Sequence, residues 1–467
     1  MSADGDTDAP RAPAIEPREP VGWGADDQAL FVDLYELTMA QAYLAQGLCE
    51  TAIFDLFIRH LPARRNFLLT CGLDAALDYL ETVTFRPAAI AYLDSLGRFS
   101  PEFLEALGAF RFSGDVDAMP EGTVVFADEP LLQVIGPLYE AQITETLLLN
   151  QIHFETVVAS KGARAVQAAA GRPLIDFGSR RAHGFDAGLR AARALYVAGF
   201  AGTSNLLAGQ RFGIPPAGTM AHSYIEAHND ELEAFRHFVR QYPETILLVD
   251  TYDTLDGVRN VIRLASELGS DFRIQAIRLD SGDLADLAVQ SRRMLDEAGL
   301  NQVNVLAGGG LDEYAVAELV RSGAPIHSFA LGTHVVTSAD APSLDAVYKL
   351  SAYAGSGRMK LSTEKVTLPG RKQVFRRFKD GVAVEDRIAL HDEQLDGEPL
   401  LVPVMRGGRR LPAGRVTLEE TRARAQTAVG QLAEPLRGLD AAPSAYPVRV
   451  SDALRAEQSR LRERLGY

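Results

Sequence analysis

Between residues 173 and 333 the chain alternates short apolar runs with amphipathic stretches. PLIDFG, GFAGTS, AGTMA, ETILLVDTYD, IQAIRLDSGD, QVNVLAGGG and PIHSFALGT have the length and apolar content of buried strands. The stretches between them, such as GFDAGLRAARALYVAG and DTLDGVRNVIRLASELG, carry apolar residues at helical spacing. Gly199, Gly269, Gly299 and Gly323 stand where those helices should stop. Seven strand-to-helix steps of about 25 residues predict parallel βα units. A doubly wound open sheet would give the same rhythm. A barrel is favoured because nearly every run ends in functional-looking residues, whereas an open sheet concentrates them at one switch point.

The flanking chain has a different pattern. Residues 1–26 are mostly small or polar, and read as a disordered tail. Order is expected from Ala29. Leu34, Leu37, Met39, Ala42 and Tyr43 then fall at helical spacing, with Gly47 as a stop. On this pattern alone Tyr35 reads as a half-buried helix aromatic. Alternation from Ile53 to Arg59 predicts a strand ended by Pro62. Residues 72–110 read as helices, 111–136 as strands broken by turns, and 137–168 as one or two helices. AVYKLSAYAG, RMKLS and KQVFRRFKDG read as strands, and 384–416 as further short strands or loops. The last stretch is an amphipathic helix begun by Ser451 or Asp452. The expected organisation is a tail (1–26), the first part of an α+β domain (27–150) and an α/β barrel (151–349). The second part of the α+β domain (350–445) and a C-terminal helix (446–467) follow.

Composition narrows the function. The 467 residues carry 47 basic and 62 acidic side chains, a net charge of −15. That balance argues against nucleic acid or an anionic membrane as the main partner. It leaves room for a local basic pocket. Arg59, His60, Arg64 and Arg65 form one basic island, which fits either a phosphate contact or a solvated turn. Cys49 and Cys71 make no metal or disulfide pattern, which suits a reducing, cytoplasmic compartment. No apolar run reaches about 18 residues, so no membrane span is expected.

The predicted strand ends carry the chemistry. Asp176, Phe177, Arg180 and Arg181 follow the first, Thr203 and Asn205 the second, and Thr219 and His222 the third. Asp250 and Asp253 follow the fourth, and Arg278, Asp280 and Asp283 the fifth. Gly308, Gly309 and Gly310, then Gly332 and Thr333, precede helices, where backbone N–H groups can approach a phosphate. Each signal has a bland reading: GGG as a plain turn, DSGD as a helix cap on Ser281 or Asp280, and His222 as a structural histidine. Taken together they describe a barrel for a phosphorylated sugar. The acidic groups would serve magnesium or ribose hydroxyls, and Arg278 a carboxylate.

DLYELTMAQAYL, FDLFIRHLP, DFGSRRAHG, GTSN, AGTMAHSY, LLVDTYD, IRLDSGDL and LGTHVVTSADAPSLDAVYKL, in this order, resemble the nicotinate phosphoribosyltransferases. The resemblance runs from about residue 30 to residue 378. It implies an α/β fold of the type II phosphoribosyltransferases: an irregular TIM-like barrel, and an α+β domain made from chain before and after it. The implied reaction makes nicotinate mononucleotide and pyrophosphate from nicotinate and phosphoribosyl pyrophosphate, with coupled ATP hydrolysis, in NAD salvage.

The resemblance also implies roles. His222 would be the histidine that ATP phosphorylates. Phe177 would stack on one face of the pyridine, and Tyr35 of a second subunit in a homodimer on the other. Thr219 and Arg278 would surround the nicotinate. Arg180, Asp280, Gly308, Gly309, Gly332 and Thr333 would form the phosphoribosyl pyrophosphate site, with Asp250 near the ribose and Asp280 also catalytic. Mg2+ is the expected metal, with no ligand set assigned. Arg64 and Arg65 stay outside the expected site. Two alternatives are a nicotinamide phosphoribosyltransferase and a catalytically silent phosphate-binding barrel. A quinolinate phosphoribosyltransferase fits less well, since its chains are shorter and lack the ATP-coupled histidine.

Overall fold

The computed structural model describes residues 25–362 and 365–467. The expected tail lies outside the described residues as far as 24. Its last two positions begin a helix, Ala25–Leu30.

Two sheets organise the rest. A seven-stranded antiparallel sheet draws on both flanks of the chain. Thr51–Ile58 is an inner strand, paired on one side with the central Pro130–Pro137 and on the other with Ala346–Tyr353. Leu56 faces Leu132 and Tyr348 across the two ladders. Phe54 stacks on Tyr348 with ring centroids 4.8 Å apart. A one-residue register slip would turn this row away from its core. The domain is therefore built from chain before and after the parallel sheet. A second antiparallel pair, Lys372–Lys379 with Val382–Leu390, continues in parallel to Val448–Val450. RMKLS forms no strand; pairing there is limited to Ser356–Gly357 against the end of Ala346–Tyr353.

The parallel sheet has the order Gly202–Thr203, Leu174–Asp176, Ser328–Leu331, Asn304–Ala307, Ala276–Leu279, Ile246–Leu248. It curls as a half-barrel of six strands, where seven were expected. AGTMA is not a strand: only Pro216 bridges Thr203, through Thr203 N–H to Pro215 O at 3.1 Å and Ala217 N–H to Thr203 O at 2.9 Å. The two prolines before it lack the N–H groups a longer ladder needs. Helices pack outside the sheet, and five of them start in the same way. Asn205, Asp230, Asp253, Asp283 and Asp312 each cap a helix by accepting a backbone N–H on the side chain. The cap in DSGD is thus Asp283, not Ser281 or Asp280.

One helix, Glu145–Ala168, serves both sheets and runs across residue 150. Its Thr156 and Ser160 hydroxyls accept the N–H groups of Cys71 and Leu69 in the first domain. Farther along, Lys161 is almost wholly buried and pairs with Glu313 at 2.5 Å and Asp340 at 2.8 Å. Arg65 joins this network through Asp340 at 3.0 Å and is itself buried, while Arg59 pairs with Asp345 at 3.4 Å. Two of the island's three arginines are therefore held by protein carboxylates, and the third, Arg64, lies over the Tyr314 ring.

Candidate active site

Parallel registers bring the strand ends level. Asp176 pairs with both Leu331 and Thr203, and Leu279 with Ala307. Phe177, Gly332, Gly308 and Asp280 each follow one of these residues directly. They share one edge of the sheet because parallel strands run in one direction and all present their carboxyl ends on the same side.

Arg278 is the centre of that edge. It lies on the strand Ala276–Leu279 and is buried. Its Nη1 donates to Thr219 Oγ1 at 3.2 Å and its Nη2 to Asp280 Oδ1 at 2.5 Å. The guanidinium carbon stands 5.2 Å from the centroid of the Phe177 ring. Its Nε–H is buried and has no hydrogen-bond partner among the described residues. Phe177 and Thr219 also line a cavity of about 650 Å3, with Ile175 and Leu306 behind them. An aromatic ring and a hydroxyl thus border a space large enough for a small planar acid, and the Arg278 guanidinium stands against both of them.

Asp250 is buried beside this group. Its Oδ2 accepts the Asp280 N–H at 3.0 Å and the Ser281 hydroxyl at 2.6 Å. Its Oδ1 is buried and has no hydrogen-bond partner among the described residues. Gly308 and Gly309 lie against the same turn. A Cβ on Gly308 would come within 2.6 Å of Asp280 Oδ1, and one on Gly309 within 1.8 Å of Asp280 O. Gly309 also has φ +84°, a conformation L side chains resist. These two glycines let the neighbouring strand end approach Asp280.

The Phe177 loop is fixed by a residue not assigned to the site. Asp176 is buried; its Oδ1 accepts the Gly178 N–H at 2.7 Å and its Oδ2 the Thr203 hydroxyl at 2.7 Å. Burial pushes its carboxyl up, and these two bonds oppose the shift. Gly178 packs on Val336, so the turn Ser179–Arg181, with Arg180 exposed, sits beside the short helix Thr333–Val336. Gly332 and Thr333 begin that helix.

His222 opens the helix His222–Glu226 and is half-buried. Its Nδ1 lies 3.2 Å from Thr251 Oγ1. Thr251 is the residue after Asp250, so the histidine is joined to the Arg278 group through one peptide unit. Of the sequence-derived candidates, Phe177, Thr219, Arg278, Asp280, Asp250, Gly308, Gly309, Gly332, Thr333, Arg180 and His222 all gather at the strand ends. Tyr35 does not; it stands at the exposed start of Leu34–Ala45, where burial and the Glu145 carboxylate push its hydroxyl up. Thr251, Ser281 and Asp176 were missed as contacts. Their types are ordinary in loops, and only tertiary structure reveals their partners.

Among the described residues, one group of three side chains has metal-ligand spacing: Cys71, Glu121 and Glu155, away from this edge. Arg193 already fills it, 2.6 Å from Glu121 and 2.7 Å from Glu155. The guanidinium leaves no room for a cation.

Comparison with known proteins agrees with this geometry. Residues 30–153 match the nicotinate phosphoribosyltransferase N-terminal domain, and residues 173–364 match the nicotinate phosphoribosyltransferase family. Nicotinate phosphoribosyltransferase pncB2 of Mycobacterium tuberculosis is 52% identical over 93% of this chain and 94% of its own. The Bacillus subtilis nicotinate phosphoribosyltransferase is 42% identical over 81% of this chain and 80% of its own. The crystal structure of the human nicotinic acid phosphoribosyltransferase superposes with a TM-score of 0.82 at 30% identity, covering 92% of this chain and 99% of that one. With its strand ends arranged around Arg278 and Phe177, the chain belongs to the nicotinate phosphoribosyltransferase family.

Proposed function

We infer that this protein joins nicotinate to phosphoribosyl pyrophosphate, releasing nicotinate mononucleotide and pyrophosphate, and that ATP hydrolysis drives the step through a phosphohistidine at His222. The observation that carries the reading is the placement of Arg278. Its guanidinium is held over Phe177 and against Thr219 beside the cavity. A pyridine carboxylate lying on Phe177 would turn its carboxylate towards Arg278, which sets the ring's in-plane rotation.

The chemistry follows from positioning. As the C1–O bond to pyrophosphate breaks, the ribose gains oxocarbenium character, and the pyridine nitrogen attacks the exposed face. That nitrogen carries no proton at pH 7, so no strong general base is needed. Asp250 Oδ1, buried and without a partner among the described residues, is an acceptor for a ribose hydroxyl. Arg180 and the backbone at Gly308, Gly309, Gly332 and Thr333 supply positive potential for phosphate.

The same carboxylates fit a magnesium ion. A hard cation that keeps most of its waters needs only one or two of them, and Asp250 and Asp280 would hold it with the substrate's phosphates. Bound there, magnesium would neutralise charge on the departing pyrophosphate. No described helix is long and apolar enough to cross a membrane. With ATP and phosphoribosyl pyrophosphate as substrates, the working place is the cytoplasm.

The test is product formation from phosphoribosyl pyrophosphate and magnesium, with nicotinate or nicotinamide, with and without ATP. Nicotinate mononucleotide is expected, formed faster with ATP. Turnover of nicotinamide alone would overturn the Arg278 assignment. Equal rates with and without ATP would remove the phosphohistidine.

A further inference from the structure

A second cavity, of about 270 Å3, lies in the α+β domain, and none of the strand-end residues lines it. Its walls are mostly apolar: Phe57 on the strand Thr51–Ile58, Leu368, Ile388 on Val382–Leu390, and Val448 and Val450 on the edge strand. Asp55 and Lys372 also line it, and each is only 3% exposed. They form an ion pair, Lys372 Nζ to Asp55 Oδ2 at 2.7 Å. An empty packing void is apolar, and a buried ion pair costs desolvation that apolar packing in its place would avoid. An apolar space with one fixed polar pair is the composition of a small-molecule site.

The pair has bonding capacity left over. An ammonium has three N–H groups. One of Lys372's goes to Asp55 and one to the Gly370 carbonyl at 2.5 Å, and the third has no partner among the described residues. Asp55 Oδ1 accepts the Gln133 side-chain amide at 2.6 Å, so each carboxylate oxygen holds one bond and has room for a second. The cavity thus offers a donor beside acceptors, and the pair carries no net charge. Asp128 is the remaining charged residue of the lining, so a phosphate would find no second cation. The matching ligand is flat and neutral, with an amino donor next to a ring nitrogen that accepts. Adenine has that edge. The volume is the share of about nine waters, the bulk of a two-ring base.

We propose that this cavity binds an adenine-type base: the amino group donates to Asp55, a ring nitrogen accepts the remaining N–H of Lys372, and the ring faces lie against the apolar walls. Asp55 and Phe57 come from chain before the parallel sheet, and Lys372, Ile388 and Val448 from chain after it. An occupied site therefore ties the two parts of the α+β domain together and stabilises the folded protein.

The experiment is isothermal titration calorimetry of the full-length protein with adenine and with hypoxanthine, which places an oxygen where adenine carries its amino group. Adenine should bind at one site per chain. Hypoxanthine should bind about tenfold to a hundredfold more weakly, the worth of a hydrogen bond to a charged group. Saturating ATP or nicotinate should leave adenine binding unchanged, because the strand-end residues are absent from this lining. Val448→Trp fills the cavity from a half-buried edge-strand position and leaves the ion pair in place. It should abolish adenine binding and keep a cooperative thermal melt. On the wild type, no binding of adenine, equal affinity for hypoxanthine, or displacement of adenine by ATP or nicotinate overturns the proposal. Adenine binding that survives in Val448→Trp overturns it as well.

Discussion

Arg278 is held by groups of different chemistry, which makes its removal informative. Thr219 and Asp280 fix two of its nitrogens, and Phe177 lies against its face. In Arg278→Ala the nicotinate Michaelis constant should rise by roughly tenfold to a hundredfold, the worth of a charge-assisted hydrogen bond to a carboxylate. ATP hydrolysis should survive, because His222 is held separately through Thr251. Steady-state kinetics with each substrate varied in turn would check this, and an unchanged nicotinate constant would remove Arg278 from the site. Arg278, Phe177 and Thr219 were legible in the sequence because each follows or ends an apolar run. Thr251 was not. Its neighbours Asp250 and Asp253 drew attention as carboxylates, and its partner lies 29 positions away in a segment misread as a strand end. Asp176 was visible as a polar residue, but burial and two hydrogen bonds, not ligand contact, explain it.

At the scale of elements, the helix Leu34–Ala45 shows how a buried carboxyl can limit an exposed end. Glu36 is fully buried, one residue after the exposed Tyr35. Burial raises its carboxyl to about 8, the Glu145 carboxylate adds to the rise, and the Thr146 hydroxyl and N–H oppose it. The folded value is above the unfolded one. Stability from the protonated form is thus complete below about 4.5 and is lost as pH rises through about 8. Wild type should therefore melt at progressively lower temperature between those values than Glu36→Gln, whose neutral amide does not titrate. Parallel pH slopes in thermal melts of the two proteins would refute the linkage. The same scale explains which elements were legible. Strands with β-branched and aromatic alternation, such as Thr51–Ile58, and helices closed by glycine stand out locally. AGTMA imitates a strand in composition, but Pro215 and Pro216 deny it a ladder. Leu418–Gly430 escaped notice because its residues are mostly polar and small. Its start is set by the reciprocal bonds of Thr417 and Glu420.

At the scale of the molecule, the proposed reading would have Phe177, among the strand ends, cover one face of a bound ring. Tyr35, the aromatic expected on the other face, stands on the α+β domain with Leu34 exposed beside it. Phe177 stood out at a strand end, whereas Tyr35 read as a half-buried helix aromatic and gained its role only from the resemblance; sequence order says nothing about which copy of the chain supplies either. A dimer in which each copy lends Tyr35 to the other would complete both sites by one symmetric contact. This leads to a complementation test. Tyr35→Ala and Arg278→Ala homodimers should each be impaired, the first in ring positioning and the second in carboxylate recognition. When the two are co-expressed, random pairing makes half of the dimers mixed. Each mixed dimer then holds one site with both residues intact and one with neither, so activity should recover to about a quarter of wild type. If Tyr35 served the site of its own chain, every site in the mixture would keep a single defect and mixing would restore nothing. The assay separates the two arrangements without a structure of the assembly, because recovery requires that the two residues of one site come from different chains.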